Sequence, residues 1–471
     1  MNKQSLIIRS LAVLMVLSCM VFSCRKDSFI TGRNARIDFS SDTLFFDTVF
    51  TSTGSVTGSV KIINDNDQKL RLTSVKLMGG SQSFFHINVD GSPGPQQDNL
   101  DLEAGDSLYV FVAISITPGS ANLPFIIQDS IQVSFNGNQQ YIQLQAWGQN
   151  AHFLRNQTLH GNTVWDKTLP YVILGGLRVD TNATLTIPAG CRVYLHADAP
   201  LLVDGSLQVS GNQYDSTKVY FQSDRLDEPY RDFPGSWPGI YFRGTSTNNN
   251  LQFAVIKNAY QAIVAASPPA GTVPKVILNE CIIDNSYDAG ILGTQGSIQA
   301  VNCLISNCGK NIELTLGGNY QFTHCTAASY SNNFISHMQP VLSLSNYALV
   351  GTTPVMADLH AGFINCIFWG DNGNVDNEVV VSQQGNTAFS VNFSNCLWKA
   401  KTNPSGVVTS NIIANANPLF DSINNSRGYY DFHLQAGSPA LEKGAPTGVL
   451  IDLDGHPRPV GLPDLGCYER Q

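Results

Sequence analysis

One short phrase recurs along the second half of the chain, and its spacing constrains the fold more than any other feature. The phrase is LNECIIDN, VNCLISN, QFTHCTAAS, FINCIFWG and FSNCLWK, around Cys281, Cys303, Cys325, Cys366 and Cys396. The first two intervals are 22 residues, and the later ones, 41 and 30, fit insertions. The earlier stretch AVIKNAYQAIV aligns with CIIDNSYDAGI and puts Ala254 in the place of the cysteine. A fixed period of this length, in short strands broken by Gly and Asn, predicts a parallel β-helix.

On such a coil, Cys281, Cys303 and Cys325 occupy one inward position on successive rungs, where a small and easily buried side chain fits. Four residues later, Asn258, Asn285 and Asn307 also fall in register, and we expect their amides to form a hydrogen-bonded ladder.

A disulfide framework and a metal site are the competing explanations of the cysteines. Vertical neighbours repeat at about 4.8 Å, whereas the Cβ atoms of a bridge lie about 3.8 Å apart. Zinc would need paired spacings with histidine partners, and the one close pair is Cys303 and Cys308. We therefore predict buried free thiols, no metal and no cofactor, with a bridge among some cysteines left open.

The start of the chain has the features of an export signal. Lys3 and Arg9 precede a short apolar run, and its end, VFSC, resembles a bacterial lipobox. We expect a signal peptide at residues 1–23, lipidation of Cys24 and a tether at 24–36. Cys19 is the competing acceptor, and a secreted protein cleaved nearby is the other interpretation. A lipid anchor implies the membrane as a partner and the outer membrane or cell surface as the location.

Residues 37–150 alternate apolar and polar side chains between turn segments such as NDND, GSPGP and EAGD. Seven or eight half-buried antiparallel strands in this length predict a β-sandwich. The order of the strands resembles the immunoglobulin-like modules of bacterial surface proteins, and we interpret this domain as a spacer.

The net charge of the chain limits the classes of ligand that it can bind. The net charge is −9, and without Lys3 and Arg9 the remaining 25 basic and 36 acidic side chains give −11. This disfavours nucleic acid as a partner. Only 13% of the residues are charged, so the surface owes its polarity mainly to amides and hydroxyls.

Residues 151–471 resemble right-handed parallel β-helix proteins of the pectate-lyase-like superfamily, of the choice-of-anchor Q type. The resemblance is carried by PGSWPGIYFRG, at 234–244, and by the run NPLFDS to DLGCYE, from Asn417 to Glu469, which closes such solenoids. It implies an all-β chain in which the immunoglobulin-like sandwich precedes a right-handed β-helix. This fold hosts lyases, hydrolases, adhesins and binding proteins, so it does not define an activity.

The stretch SDRLDEPYRDFPGSW is the richest candidate for ligand binding. Its aromatic rings could stack on sugars, and its two arginines could hold acidic groups in bidentate fashion. The phrase W-x-G-I that begins at Trp237 could instead place this ring in the core. The competing interpretation is a solvated loop with internal salt bridges. The candidate residues are Asp224, Arg225, Asp227, Glu228, Tyr230, Arg231, Asp232 and Trp237.

A polysaccharide lyase would need a basic side chain and, commonly, Ca²⁺ held by carboxylates. The outward charges of the repeats do not reproduce such motifs; they are Lys257, Asp284, Asp288, Lys310 and Glu313. Asp452 and Asp454 resemble a calcium loop without its later ligands, and we interpret Asp454 and Gly455 as a tight turn. We predict a non-catalytic binding or structural role, with polysaccharide as the ligand. A lyase is the alternative, and only that alternative would involve Ca²⁺.

Overall fold

The computed structural model describes residues 28–51, 57–116, 125–268, 271–371 and 373–471. The chain divides into two compact units after Asn150. Regular structure is almost entirely β, as predicted, with three short 3₁₀ turns at Gly80–Gln82, Tyr230–Asp232 and Asn425–Arg427 among the described residues. The expected signal peptide, Cys19 and the expected lipidation site Cys24 lie outside those residues.

The first unit is a sandwich of two five-stranded sheets around one apolar core. The sheet orders are β1-β3-β8-β5-β6 and β2-β10-β9-β4-β7. The pairings between these strands are antiparallel except that of β2 with β10, which is parallel and differs from the expected pattern. The strands are Ile37–Phe39 (β1), Thr43–Phe50 (β2), Gly58–Asn64 (β3), Leu70–Leu77 (β4), Phe85–Val89 (β5), Ser92–Pro93 (β6), Gln96–Leu102 (β7), Ser107–Ile114 (β8), Phe125–Phe135 (β9) and Asn138–Gln149 (β10).

The second unit is a solenoid of parallel strands, in an 18-stranded and a ten-stranded sheet. Its first strands are His152–Leu159 (β11), Asn162–Val164 (β12), Tyr171–Val179 (β13), Thr184–Pro188 (β14), Arg192–Leu195 (β15), Leu201–Val203 (β16), Ser206–Ser210 (β17), Val219–Ser223 (β18), Ile240–Phe242 (β19), Asn249–Gln252 (β20), Ala254–Lys257 (β21), Gln261–Ala266 (β22), Val276–Asn279 (β23), Ile282–Asp284 (β24), Ala289–Thr294 (β25), Ser297–Val301 (β26), Leu304–Ser306 (β27) and Lys310–Thr315 (β28).

The remaining strands complete the coils and add two hairpins. They are Gly318–Thr323 (β29), Thr326–Ser329 (β30), Leu342–Ser345 (β31), Tyr347–Val350 (β32), Thr353–Met356 (β33), Leu359–Ile364 (β34), Ile367–Gly370 (β35), Val379–Ser382 (β36), Phe389–Ser394 (β37), Leu397–Trp398 (β38), Val408–Ser410 (β39), Ile413–Ala414 (β40), Phe420–Asn424 (β41) and Tyr429–Leu434 (β42). The hairpins are β32–β33 and β41–β42.

Each regular coil contributes three strands, and each strand pairs in parallel with its equivalent on the next coil. Thus β24, β25 and β26 pair with β27, β28 and β29. Two of the three strands belong to the 18-stranded sheet, so the coil has three faces. Inside, side chains stack by type: Phe363 lies between Phe322 and Phe393, with ring centroids 5.3 and 4.6 Å apart.

The residue before each repeated cysteine has a left-handed backbone, with φ of 49° at Asn302, 50° at His324 and 57° at Asn365. Asparagine tolerates this conformation better than most residues because its short side chain bonds locally. The Asn-Cys pair therefore marks a sharp corner followed by an inward side chain. This corner is the structural reason for the recurring phrase.

The C-terminal segment, residues 417–471, packs along the outside of one face of the coils. Leu304, Ile367 and Leu397 point outward there and are buried under Phe432, Leu453 and Leu465. The segment also buries charge, because Arg458 and Glu469 are both almost fully enclosed. The outward side chains on these strands are therefore apolar because the C-terminal segment packs over them and excludes water.

Candidate functional site

The loop at 224–237 connects β18 to β19 and lies across the corners of the following coils. The Asn258 side-chain amide donates to the Arg231 carbonyl at 2.6 Å, and that of Asn285 donates to the Asp232 carbonyl at 2.8 Å. The loop ends where Trp237 pairs with Ala259. Two of the asparagines predicted to form a ladder therefore also hold this loop in place.

The two arginines of the loop are already paired within it. Arg225 donates from Nε and Nη2 to the two carboxylate oxygens of Asp227, at 2.7 and 2.9 Å, and its guanidinium lies 4.0 Å from the Tyr230 ring centre. The carboxylate of Asp227 raises the pKa of Arg225. Arg231 contacts Glu228 at 2.5 Å and Asp232 at 3.3 Å. The geometry matches the internal salt bridges that were one of the two interpretations of this stretch.

Two of the predicted binding residues are turned away from solvent. Asp224 is paired with Nδ1 of His196 at 2.8 Å, and burial raises the pKa of this carboxyl group. Trp237 is fully buried and its indole N–H donates to the Lys257 carbonyl at 2.8 Å. Of the two interpretations of Trp237, a stacking face and a core position, the structure matches the core position, because the indole fills the core at the start of its coil.

Exposed aromatic rings lie beside Gly235 of the loop instead. Tyr260 and Tyr287 occupy the same corner position on successive coils and are 44% and 56% exposed. Their ring centroids lie 5.8 Å apart, at an interplanar angle of 24°. The next coil has Gly309 at this position, so no side chain follows Tyr287 there.

A second aromatic group is formed by two residues of the same loop and one residue of a later insertion. Phe233 contacts Tyr230 and Phe334 edge to face, with ring centroids 5.1 and 5.0 Å apart. Tyr230 and Phe334 are each 42% exposed. We call this set the aromatic surface, and its members are Tyr230, Phe233, Tyr260, Tyr287 and Phe334.

The predicted set included only Tyr230 from this surface. The repeat itself carried a signal for two more members, because NAYQ and NSYD align and place a tyrosine at one corner of two coils. Phe334 lies in a long insertion, and no pattern in the sequence connects it with residue 233.

The acidic and basic residues beside the aromatic surface form pairs. Lys257 lies 3.7 Å from Asp284, and Lys310 lies 2.8 Å from Glu313 and 3.7 Å from Asp288. Burial lowers the pKa of Lys310, but the carboxylates of Glu313 and Asp288 outweigh it, and the net shift is upward. A lysine held in its charged form cannot abstract a proton, so Lys310 is a poor general base.

The cysteines of the repeat are buried and free. The register places Cys281, Cys303, Cys325, Cys366 and Cys396 at one position on successive coils. Each thiol faces backbone carbonyls; for example, Sγ of Cys303 lies 3.3 Å from the Val301 carbonyl oxygen. Burial raises the pKa of Cys303 and Cys325 well above that of a free thiol. In the described residues no group of three or more His, Cys, Asp or Glu side chains is placed to hold a metal ion.

The asparagine ladder extends over two coils rather than three. Asn285 donates from its side chain to Oδ1 of Asn258 at 2.8 Å. Asn307 instead approaches Oδ1 of Asp284, at 3.5 Å, and accepts from the backbone N–H of Tyr330 at 3.0 Å. The expected third rung is wrong, because the inserted segment that begins near Tyr330 takes the amide of Asn307.

Comparisons with known proteins supply little beyond this geometry. No family model and no curated protein matches the chain. Among solved structures, it is similar to a family 123 glycoside hydrolase from Clostridium perfringens, at 10% identity and a TM-score of 0.19 over 27% of this chain and 31% of that one. The chain thus spans about a third of the hydrolase chain.

Two further structures are similar at the same level. A protein of unknown function from Porphyromonas gingivalis W83 shares 10% identity, with a TM-score of 0.18 over 26% of this chain and 60% of that one. The PapD-like domain 7 of human CEP192 shares 10% identity, with a TM-score of 0.17 over 27% of this chain and 96% of that one. TM-scores this low support no transfer of function. Across the part of the chain with described structure, no helix is both long and apolar enough to cross a membrane.

Proposed function

We propose that this protein is a lipid-anchored surface protein whose β-helix binds a glycan without modifying it. The observation that carries the proposal is the pair Tyr260 and Tyr287, which expose their rings at one corner of successive coils. Sugar rings present flat C–H faces that pack on aromatic rings, and a tyrosine adds a hydroxyl that can donate and accept hydrogen bonds.

The surroundings of these rings favour a sugar over an apolar partner. Amide side chains lie at the same corner, including Gln261, Asn285 and Asn332, and each is within hydrogen-bond distance of a neighbour in the protein. Amides that are fixed in this way present defined donors and acceptors to hydroxyl groups. Most of the neighbouring charges are paired, so recognition through polar neutral groups and ring stacking is the simplest chemistry of this surface.

A binding role fits the acid and base chemistry better than catalysis. A lyase needs a base that is free to take a proton, and Lys310 is held charged by Glu313 and Asp288. A retaining or inverting hydrolase needs two carboxyl groups with different protonation states facing one space. Asp284 and Asp288 are engaged by Ser306 and Gln261, at 2.7 Å each.

Affinity electrophoresis in gels that contain single polysaccharides tests the proposal. We expect at least one polysaccharide to slow the wild-type protein, and the double variant Tyr260→Ala/Tyr287→Ala to migrate as it does without glycan. Tyr214→Ala is the matched control, since Tyr214 is 64% exposed but lies in the loop after β17, at another corner of the coil. Unchanged retardation of the double variant, or no retardation by any polysaccharide, would contradict glycan binding at this surface.

The same samples distinguish binding from cleavage. A lyase creates an unsaturated uronide that absorbs in the ultraviolet, whereas a binding protein leaves the absorbance of the polysaccharide unchanged. We expect no increase in absorbance with or without added Ca²⁺. A steady increase with the wild-type protein would replace the binding role with the lyase alternative.

The anchor is proposed from the sequence VFSC, in which Cys24 would carry the lipid. Radiolabelled fatty acid fed to expressing cells should appear in the wild-type protein and be absent from Cys24→Ala. The matched variant Cys19→Ala should keep the label. Label that persists in Cys24→Ala would move the anchor to another residue, and label absent from all three proteins would make this a secreted protein.

A further inference from the structure

We infer that the aromatic surface selects neutral glycans over acidic ones, an inference that rests on the proposed function and concerns the same site. The reason is the electrostatic state of its surroundings. Four cationic side chains lie beside the surface, and each contacts at least one carboxylate of the protein. The carboxylates in these contacts number six, so the local balance of charge is negative.

Arg225 is the cation best placed to bind an acidic sugar, but its guanidinium is already bound to a carboxylate of the protein. The guanidinium edge that would bind a carboxylate in bidentate fashion instead binds Asp227 through two hydrogen bonds, of 2.7 and 2.9 Å. One face of the guanidinium lies against the ring of Tyr230. An acidic group on a ligand would have to displace Asp227 and leave that carboxylate without its partner, which makes the exchange unfavourable.

Arg231 and Lys310 disfavour an acidic ligand for a different reason, which is that each contacts two carboxylates. Arg231 lies between Glu228 and Asp232, and Lys310 lies between Asp288 and Glu313. A cation that contacts two carboxylates belongs to a group with a net negative charge. A ligand carboxylate or sulfate that approaches the tyrosines therefore meets like charge, whose repulsion is screened only as the salt concentration rises.

A neutral sugar meets no such obstacle. The exposed rings of Tyr260 and Tyr287 stack on it without regard to charge. Carboxylates that are already paired can still accept hydrogen bonds from sugar hydroxyls, because each oxygen has two lone pairs. The excess of carboxylates thus serves as a set of acceptors for hydroxyl groups and as a barrier to anions.

Matched pairs of polysaccharides with one backbone test the inference. The probes are fully methyl-esterified and de-esterified homogalacturonan, and hydroxyethyl and carboxymethyl cellulose, together with any further glycan that retards the protein and its carboxymethylated form. We expect the neutral member of a retained pair to bind about tenfold or more tightly than the acidic member, measured from the retardation at a series of glycan concentrations.

A charge variant sharpens the test. Asp227→Asn removes the partner of Arg225 and should improve retention of the acidic member severalfold, with the gain diminishing at high salt. Asp215→Asn is the matched control, because Asp215 is exposed and pairs with Lys218 in the loop after β17. Equal or tighter binding of the acidic members by the wild-type protein would overturn the inference and leave the glycan-binding function standing. Absence of retention by every polysaccharide would instead contradict the proposed function, and the selectivity with it.

Discussion

Nε2 of His433 donates a hydrogen bond to Oδ2 of Asp454 at 2.9 Å, which joins strand β42 to the turn at residues 452–456. Nδ1 of the same ring donates to Asp431 at 2.6 Å, and the ring stacks on Tyr468. Burial lowers the pKa of His433, but the carboxylates of Asp454 and Asp431 raise it by more, to about 9. This histidine is therefore charged at neutral pH and fastens the C-terminal segment through two ion pairs.

The alkaline stability of the C-terminal segment should depend on His433. Its pKa is higher in the folded than in the unfolded protein, so its stabilising effect is complete below about 6.5 and is lost as the pH rises through about 9. The side chain is 43% exposed, so solvent screening reduces the effect to about 1 kcal/mol. We expect His433→Gln to lower the melting temperature at pH 7 and to remove part of the further decrease between pH 7 and 10. His160→Gln, at an exposed pair with Asp180, should change neither.

The stability of the protein at acid pH should depend on His324, which is fully buried between the coils and the C-terminal segment. Burial and the adjacent charge of Arg458 lower its pKa to about 3. Because the unfolded protein takes up this proton at a pH near 6.5, stability should fall as the pH decreases from 6.5 towards 3, by up to about 1.4 kcal/mol per pH unit.

His324→Asn is a suitable variant for this acid dependence. Asparagine occupies the equivalent left-handed corner at Asn302 and Asn365, so the backbone accommodates it. Chemical denaturation at several pH values should give a shallower loss of stability between pH 6 and 4 than in the wild type. An unchanged slope would mean that another group controls the acid transition.

The cysteine ladder makes a prediction about reactivity. Thiolates are the reactive form, and burial raises the pKa of Cys303 and Cys325, which also removes them from solvent. We expect maleimide to leave the eight cysteines of the described residues unmodified in the native protein and to label all of them after denaturation without reductant. Intact mass spectrometry measures both states. Labelling that requires a reductant would show that some of these cysteines are bridged.

Gly370 makes room for two buried side chains in contact, His337 and Glu378, which hold the segment carrying Phe334. Nε2 of His337 lies 3.0 Å from Oε1 of Glu378, and both side chains are almost fully buried. A Cβ atom at position 370 would collide with both groups. We expect Gly370→Ala to destabilise the protein by about 1–3 kcal/mol in thermal or chemical unfolding. Gly271→Ala is the control, since none of the residues described by the structure has an atom within 4 Å of its added Cβ. Equal stability of the two variants would contradict this account.

The coil could be predicted from the sequence because its signal is local and repeated. A period of 22 residues fixes the inward position of Cys303, and the register of successive strands follows from it. The corner asparagines were predictable as corners, but not as an amide ladder of three. Asn307 bonds to Asp284 and Tyr330. Tyr330 lies at the start of an insertion, and the repeat does not predict the length or the path of that insertion.

The binding surface was harder to predict, for two physical reasons. Trp237 and Tyr230 lie in the same loop, but the ring of Trp237 fills the core and that of Tyr230 is exposed. Which ring is buried depends on the residue at which the next coil begins. The contact between Phe233 and Phe334 joins residues about a hundred positions apart. The packing of the C-terminal segment on the coils was hard to predict for the same reason. Leu304 and Leu465 join one apolar cluster only after the chain has turned back along the coils.

Tyrosine footprinting tests the central claim most directly, because it locates the ligand on the folded protein. The wild-type protein is nitrated with tetranitromethane, alone and with a saturating concentration of the polysaccharide that retards it most, and the peptides are quantified by mass spectrometry. We predict that the glycan protects Tyr260 and Tyr287 severalfold and leaves Tyr214 and Tyr429, which are 64% and 56% exposed, unchanged. Equal nitration of Tyr260 and Tyr287 with and without bound glycan would contradict the assignment of the aromatic surface as the binding site.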